Sequence, residues 1–218
     1  MNVHIVVEGD SEKKIYPHWV PMVNPNLSYV EHISQIQSNH FTIVSGGGGP
    51  QYYEVIDAAI EDVNTYGNID RLVVAVDSEE MSIDEKYKEV EAHLSKTPCV
   101  AAVRIVIQHF CLEAWALGNR AIIRPNPQDA KLREYKKFYN VRTHDPELLP
   151  PYDPDELNRA NFAEKYLRRA LQDKYAKLTY TKRNPDVLLH PKYFQRVKAR
   201  LDETGHIPSL GGFLSAFM

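Results

Sequence analysis

The sequence predicts an α/β fold: a parallel-sheet core with helices on both faces, followed by a C-terminal helical extension. The first observation is that short apolar runs, rich in β-branched residues, alternate with helical stretches in the first half of the chain. The second is that these runs are almost uniformly apolar, which is typical of parallel strands buried on both faces. The third is the length of 218 residues, which suits one such domain with a small appendage.

Four buried strands are predicted, at residues 2–7, 40–44, 72–76 and 100–107. Ser11 and Glu12 open a helix after the first strand, which we expect to be short or kinked because Pro17 and Pro21 interrupt it. Further helices are predicted from Pro50 to the stop at Gly67, over 83–95, and as one or two turns within 110–118.

The character of the sequence changes beyond residue 125, where proline-rich loops are predicted at 125–127 and 143–156. Helices are predicted at 156–177 and 191–203. The apolar tail, residues 206–218, is expected to dock on the core. We therefore expect two domains: a catalytic core at 1–120, and a basic helical extension at 121–218 packed on it.

Composition excludes several classes of protein. The mean hydropathy is −0.44, and no run approaches the ~18 apolar residues of a membrane-spanning helix. The apolar start of the chain is too short for a signal peptide and has no basic flank. Cys99 and Cys111 form neither a metal-ligand spacing nor a disulfide framework, which favours a reducing cytoplasm. We expect a cytoplasmic protein with no membrane partner.

The net charge of −3 conceals two oppositely charged regions. Residues 1–130 contain 9 Lys/Arg and 18 Asp/Glu, whereas residues 131–200 contain 17 and 9. An acidic half followed by a basic half fits a metal-binding core beside a surface for a polyanion. Equally, two oppositely charged faces of the protein could pack together.

Polar side chains follow the predicted strands at the edge where parallel sheets bind ligands. They are Glu8 and Glu12 after the first strand, Ser45 and four glycines after the second, Asp77, Glu79 and Glu80 after the third, and Gln108, His109 and Glu113 after the fourth. Acids gathered at one edge repel each other without a cation, and oxygen ligands favour Mg²⁺ or Mn²⁺. The alternative is that they are solvated turn residues and helix caps.

These residues resemble the Toprim domain, the catalytic fold of topoisomerases, bacterial primases and overcoming-lysogenization-defect nucleases. Val7-Glu8-Gly9 with Glu12 matches the glutamate after the first strand, and Asp77-Ser78-Glu79 matches the later acidic pair, with Glu79 where aspartate is usual. Glu113-Ala114-Trp115 resembles a further Glu-x-Trp-like stretch of the small stand-alone members. The resemblance covers roughly residues 1–118.

The resemblance implies a Mg²⁺- or Mn²⁺-dependent nuclease. Glu8 would act as general acid/base or metal ligand, with Glu12 beside it, while Asp77, Glu79 and Glu113 would complete the metal site. Tyr180-x-Lys182 places a cation that could stabilise developing charge. The small stand-alone Toprim-like proteins further suggest that this chain is the effector of a bacterial anti-phage defence system and works with an ABC-type or SMC-like ATPase.

The basic segment offers a nucleic-acid-binding surface. Its candidates are Lys131, Arg133, Lys136 and Lys137, interleaved with Tyr135, Phe138 and Tyr139, together with Arg168, Arg169 and Arg183. Each could instead belong to a solvated helix face. Two other functions compete: a non-catalytic partner or regulatory module of an ATPase, and a metal-dependent phosphohydrolase acting on small molecules. The apolar tail would suit a homo-oligomer interface.

Overall fold

The computed structural model describes residues 1–48, 51–152, 157–175 and 178–218. Its centre is a five-stranded, all-parallel sheet with the order β2-β3-β1-β4-β5. The strands are β1 (Val3–Val7), β2 (Ser28–Tyr29), β3 (His40–Ser45), β4 (Arg71–Asp77) and β5 (Ala102–Gln108). The predicted α/β class and all four predicted strands are confirmed. The edge strand β2, with two exposed residues, lacks the apolar run that identified the others.

Nine α-helices are assigned within the described ranges. They are α1 (Asp10–Val23), α2 (Tyr52–Tyr66), α3 (Ile83–Leu94), α4 (Leu112–Ala116), α5 (Ala130–Phe138), α6 (Arg159–Lys174), α7 (Asp186–Leu189), α8 (Pro191–Thr204) and α9 (Leu210–Ala216). The predicted helices are confirmed at these positions. The predicted start at Pro50 and the predicted helix ends at 156, 176 and 177 lie outside the described residues, as do residues 153–155 of the predicted loop.

The first helix differs from its prediction, because α1 continues for 14 residues through both Pro17 and Pro21. Each proline removes one backbone donor, which ordinarily ends or bends a helix. Here Trp19 and Val20 lie between the prolines and are fully or almost fully buried. Tertiary packing of this apolar face therefore outweighs the local cost of the prolines.

Helices cover both faces of the sheet, as predicted. One face forms a core cluster in which Val6 of β1 and Val74 of β4 join Ile56 and Ile60 of α2 and Val90 of α3. The helix α1 contacts β1 and β3 but contributes nothing to that cluster, so it lies on the opposite face. Burial on both faces explains why most positions of β1 and β4 are apolar.

The chain divides into two compact units. The first contains residues 1–76, 82–107 and 212–218, and the second contains residues 77–81 and 108–211. The predicted domains, 1–120 and 121–218, stay a prediction. In the second unit, α6 is contacted by both α4 and α5.

The C-terminal tail docks on the first unit, as predicted. Phe213 packs edge-on against Tyr16 and Trp19 of α1, with ring centroids 4.9 and 6.4 Å apart. Phe213 and Phe217 are fully buried. The apolar side chains of the tail are thus used within the chain, which weakens the case for the tail as an interface between copies.

No helix in the described part of the chain is long and apolar enough to cross a membrane.

Candidate functional site

In the first unit, the backbone of Glu8 is held from both sides. Its N–H donates to the carbonyl of Ala75 in β4 at 3.1 Å, and its carbonyl accepts from the N–H of Gly48 at 3.0 Å. Gly48 has φ of 96°, a left-handed conformation that favours glycine. Gly46 and Gly48 are therefore hydrogen-bonded to the end of β1, Gly46 through its N–H to the Val7 carbonyl at 2.8 Å.

Glu12 lies one helical turn after Glu8 and is 5% exposed. A Cβ placed on Gly9 would lie 2.8 Å from Glu12 Oε2, so the Glu12 carboxylate approaches the backbone at Gly9. A side chain at position 9 would displace that carboxylate. This close approach gives the Glu8-Gly9…Glu12 spacing a physical reason.

A polar cluster that the sequence did not reveal lies near Glu8 in the first unit. Lys86 Nζ donates to the Tyr52 hydroxyl at 2.9 Å and to Glu89 Oε1 at 3.3 Å, and Tyr53 also hydrogen-bonds Glu89. Burial, reinforced by the charges of Glu89 and Glu8, raises the pKa of Tyr52 to about 12. Tyr52 is therefore protonated at neutral pH.

In the second unit, Asp77 ends β4 beside the buried end of β5. Ser78 N–H donates to the Gln108 carbonyl at 2.9 Å, and in a parallel ladder this bond sets Asp77 opposite Gln108. Gln108 is fully buried, and its side-chain amide makes no hydrogen bond to any described residue. A buried amide without a partner is rare in folded proteins and marks this strand end as unusual.

Glu113 lies in the first turn of α4 and is 2% exposed. Its Oε1 accepts a 2.6 Å hydrogen bond from the hydroxyl of Tyr180, which is itself fully buried. An ion pair between Glu113 and Arg120 would have indicated a purely structural role for Glu113, but Arg120 pairs with Glu203. Glu113 is thus a buried carboxylate with a tyrosine partner.

Lys182 completes this group. Its pKa is raised chiefly by the negative charge of Glu113, and further by Asp77, against the opposing effect of burial. The structure therefore brings together the side chains of Asp77, Glu113, Tyr180 and Lys182, which we call the Asp77–Lys182 cluster. Lys182 remains protonated at neutral pH and supplies a positive charge beside two carboxylates.

Cys111 was missed as a member of this neighbourhood. Burial raises the pKa of its thiol well above the usual value, and the charges of Glu113 and Asp77 raise it further. The thiol is therefore protonated at neutral pH, which excludes a thiolate nucleophile here. Its position two residues before Glu113 was the available signal.

Glu79 occupies a different setting from Asp77. It is exposed, with φ of 48°, and its carbonyl accepts from Arg159 Nη2 at 3.3 Å. None of the contacts described for the chain joins its carboxylate to Asp77 or Glu113. Glu79 as a metal ligand stays a prediction.

A metal ion would find two suitable oxygen donors in the second unit. Among the described residues, no group of three or more His, Cys, Asp or Glu side chains is arranged to hold a metal. Mg²⁺, however, commonly uses one or two protein carboxylates and completes its octahedron with water and substrate phosphates. The carboxylates of Asp77 and Glu113 fit such an ion on the chemistry of their donor atoms.

Several of the predicted nucleic-acid-binding residues make internal contacts. Arg133 donates to the Gln128 carbonyl at 2.7 Å, Lys136 donates to the Arg124 carbonyl at 3.1 Å, and Arg169 pairs with Asp129 at 3.1 Å. Lys131 pairs with Glu134 at 2.7 Å. These contacts position loop 124–129 on α5 and α6, so part of the basic charge has a structural role.

Other predicted residues remain more accessible. Lys137, with Arg133 and Lys136, lines a cleft of about 350 Å³, and Arg168 and Arg169 line another of about 470 Å³ together with Tyr180. Arg183 lies in the turn closed by Thr181 and Asn184. These clefts are the parts of the basic surface that a phosphate backbone could reach.

The predicted stacking role is wrong for one of the three interleaved aromatic residues. Tyr135 is buried, with its ring against Phe162 at 4.9 Å, so it cannot stack on a base. The hydroxyl of Tyr139 donates to the Asp145 carbonyl at 2.7 Å, whereas Phe138 is 47% exposed. Phe138 is the ring that retains a stacking surface.

A second buried carboxylate, Glu147, joins α4 to the start of α9. Its Oε1 accepts from Trp115 Nε1 at 3.1 Å and from the Ser209 hydroxyl, and its Oε2 accepts from the Ser209 N–H at 3.3 Å. Burial nevertheless raises its pKa to about 7, from an ordinary value of 4.5. Burial therefore outweighs the hydrogen bonds that favour the carboxylate.

Glu147 should make stability depend on pH. A carboxyl whose pKa is higher in the folded state stabilises the fold fully below pH 4.5, and this contribution is lost as the pH rises to about 7. We expect Glu147→Gln to remove up to ~3 kcal/mol of this variation in the free energy of unfolding. Urea denaturation at several pH values between 4.5 and about 7 measures the free energy of unfolding. Glu134→Gln, at an exposed position, is the control. Parallel curves for wild type and Glu147→Gln would contradict the assignment.

Comparison with known proteins leaves the family open. No family model matches the chain, and neither a curated protein nor a solved structure matches it. The resemblance to the Toprim domain therefore stays a prediction that depends on the residues quoted above.

Proposed function

We propose that this protein is a Mg²⁺- or Mn²⁺-dependent nuclease that hydrolyses phosphodiester bonds in nucleic acid. The observation that carries the proposal is the Asp77–Lys182 cluster, in which the hydroxyl of Tyr180 donates to the buried Glu113 carboxylate and the negative charges of Glu113 and Asp77 raise the pKa of Lys182. Two acids beside a cation suit a reaction in which a metal binds and a phosphate gains negative charge.

Each side chain of the cluster has a distinct part. Asp77 and Glu113 would hold the metal, and the Tyr180 hydroxyl orients Glu113 through its 2.6 Å hydrogen bond. Lys182 would stabilise the charge that develops on the phosphate as water adds to phosphorus and the P–O bond to the leaving group breaks. The bound metal would polarise a phosphate oxygen and lower the pKa of water.

The remaining parts of the proposal depend on the resemblance. Glu8 and Glu12 would contribute general acid/base chemistry, and Glu79 a further ligand. Arg168 and Lys137 would bind the phosphate backbone from their clefts. The proposed role as effector of a bacterial anti-phage defence system, with an ATPase partner, depends only on the resemblance to the small stand-alone Toprim-like proteins.

The test is cleavage of supercoiled plasmid, tRNA and single-stranded DNA by the full chain with Mg²⁺ or Mn²⁺. We expect Glu8→Gln and Asp77→Asn to abolish cleavage, because each removes a charge and preserves shape. Asp84→Asn, an exposed acid in α3, is the matched control and should cleave normally.

Cleavage that persists in both variants would overturn the assignment of the site. Titration of Mn²⁺ by calorimetry separates the remaining outcomes. Binding that is lost in Asp77→Asn supports the metal site, whereas no binding to wild type favours the non-catalytic module. Hydrolysis of p-nitrophenyl phosphate without cleavage of nucleic acid would favour the small-molecule phosphohydrolase.

A further inference from the structure

A separate cavity of about 480 Å³ lies in the second unit, beside α7 and α8. Its apolar lining comes from Ile122, Tyr175, Leu178, Val187 and Tyr193, and its polar lining from Asn119, Asp186, His190, Lys192 and Arg196. A concave, mostly apolar site with a few converging polar groups is typical of small-molecule binding, and the volume is in the usual range.

The polar groups favour an anion. Lys192 and Arg196 are four residues apart on α8 and therefore lie on the same side of that helix. In the described part of the chain, neither side chain has an ion-pair or hydrogen-bond partner. Their two positive charges exceed the single negative charge of Asp186. His190 Nδ1 accepts from the Lys192 N–H at 3.2 Å, so a proton on the neutral ring lies on Nε2, a further donor.

The apolar groups favour a ligand with an extended hydrophobic body. Leu178 lines the cavity and is 39% exposed, so its side chain is accessible to a bound molecule. Val187 and the ring of Tyr175 lie on the same cavity. A single bound molecule could contact these side chains while its anionic group reaches the cations of α8.

We propose that this cavity binds a small organic anion with an aromatic or aliphatic body. The apolar body packs on Leu178, Val187 and Tyr175, and the anionic group pairs with Lys192 and Arg196. None of these residues belongs to the Asp77–Lys182 cluster.

The walls of the cavity are also connected to that cluster. Leu178 and Asp186 lie on either side of the segment that carries Tyr180 and Lys182. The Tyr193 hydroxyl donates to the carbonyl of Ala116, in the helix that carries Glu113, at 2.9 Å. Binding should therefore slow amide hydrogen exchange in residues 178–187. An effect on cleavage would rest on the proposed function; the binding itself does not.

Anilinonaphthalene sulfonate, an aromatic anion, is the probe for the test. It is titrated into the full chain, without metal or nucleic acid, and followed by fluorescence and calorimetry. We expect saturable binding to one site, weakened about tenfold or more by Lys192→Glu, since loss of a charge-assisted contact of ~1.4 kcal/mol has that effect. Lys198→Glu on the same helix makes the same charge change outside the cavity and should leave binding unchanged.

Two further measurements make the result decisive. Leu178→Ala, a change at a partly exposed position, should weaken binding, and the uncharged N-phenylnaphthylamine should bind more weakly than the sulfonate. Equal affinities for Lys192→Glu and Lys198→Glu would overturn the proposal, as would binding at several equivalent sites or no binding. Because no step depends on catalysis, this result is distinct from failure of the nuclease proposal.

Discussion

Glu113→Gln is expected to lower the rate of nucleic-acid cleavage about 10²–10³-fold without unfolding the protein. Glutamine keeps the shape of the side chain and can still accept the hydrogen bond from Tyr180. It removes the negative charge that binds a cation and that acts most strongly on Lys182. The same change should therefore shift the pKa of Lys182 downward, toward the ordinary range of lysine.

Two measurements check this prediction independently. Single-turnover cleavage gives the rate, and NMR titration of selectively labelled lysine gives the Lys182 pKa. Glu164→Gln is the matched control, because Glu164 also acts on Lys182 but more weakly. A Lys182 pKa that falls without loss of cleavage would confirm the geometry and refute the catalytic role. Cleavage close to the wild-type rate in Glu113→Gln would remove Glu113 from the proposed site.

Arg200→Met should lower the free energy of unfolding by about 3–5 kcal/mol. Arg200 is 1% exposed, and its guanidinium donates to the carbonyls of Val141 and His144 at 3.1 and 2.8 Å and to Arg142 at 3.4 Å. Burial, with the charge of Arg120, lowers its pKa to about 10, so it is still protonated at neutral pH. Methionine retains much of the volume but removes the donors to these carbonyls, among them that of the buried Val141.

The two tryptophans allow this loss to be located. Trp115 belongs to the second unit, with Arg200, whereas Trp19 belongs to the first. In a Trp19→Phe background, urea denaturation is followed by the fluorescence of Trp115 alone. The midpoint of unfolding should occur at a lower urea concentration in Arg200→Met. Lys198→Met, which removes an exposed pair with Asp202, should change stability by less than ~1 kcal/mol. Equal transitions for the two variants would contradict a structural role for Arg200.

Much of the fold was predictable because its signals are local. The apolar runs identified β1, β3, β4 and β5, and helical spacing identified the principal helices. The strand β2 was missed because two exposed residues carry no such pattern. The helix α1 was expected to be short or kinked at Pro17 and Pro21, and it is not short, because the burial of Trp19 and Val20 depends on residues distant in the chain.

The candidate site was predictable in part. Glu113 was predicted as a site residue, and a carboxylate is costly when it is buried without a partner or a metal. That the partner is Tyr180, 67 residues later, could not be predicted, because the hydrogen bond follows from how the second unit packs. The basic residues were less predictable. The sequence offered them as candidates for a nucleic-acid-binding surface, whereas Arg133 and Lys136 donate to backbone carbonyls and Arg169 pairs with Asp129.

Periodicity and apolar runs involve a few neighbouring residues, so four of the five strands, the longer helices of the sheet, the burial of the sheet and the acids that follow its strands could be read from the sequence. Only folding brings the polar partners together: the charges of Glu113 and Asp77 act on Lys182, and Glu147 accepts hydrogen bonds from Trp115 and Ser209. Electrostatic and hydrogen-bond energies depend on distance and burial, and residues far apart in the chain acquire both only when it folds.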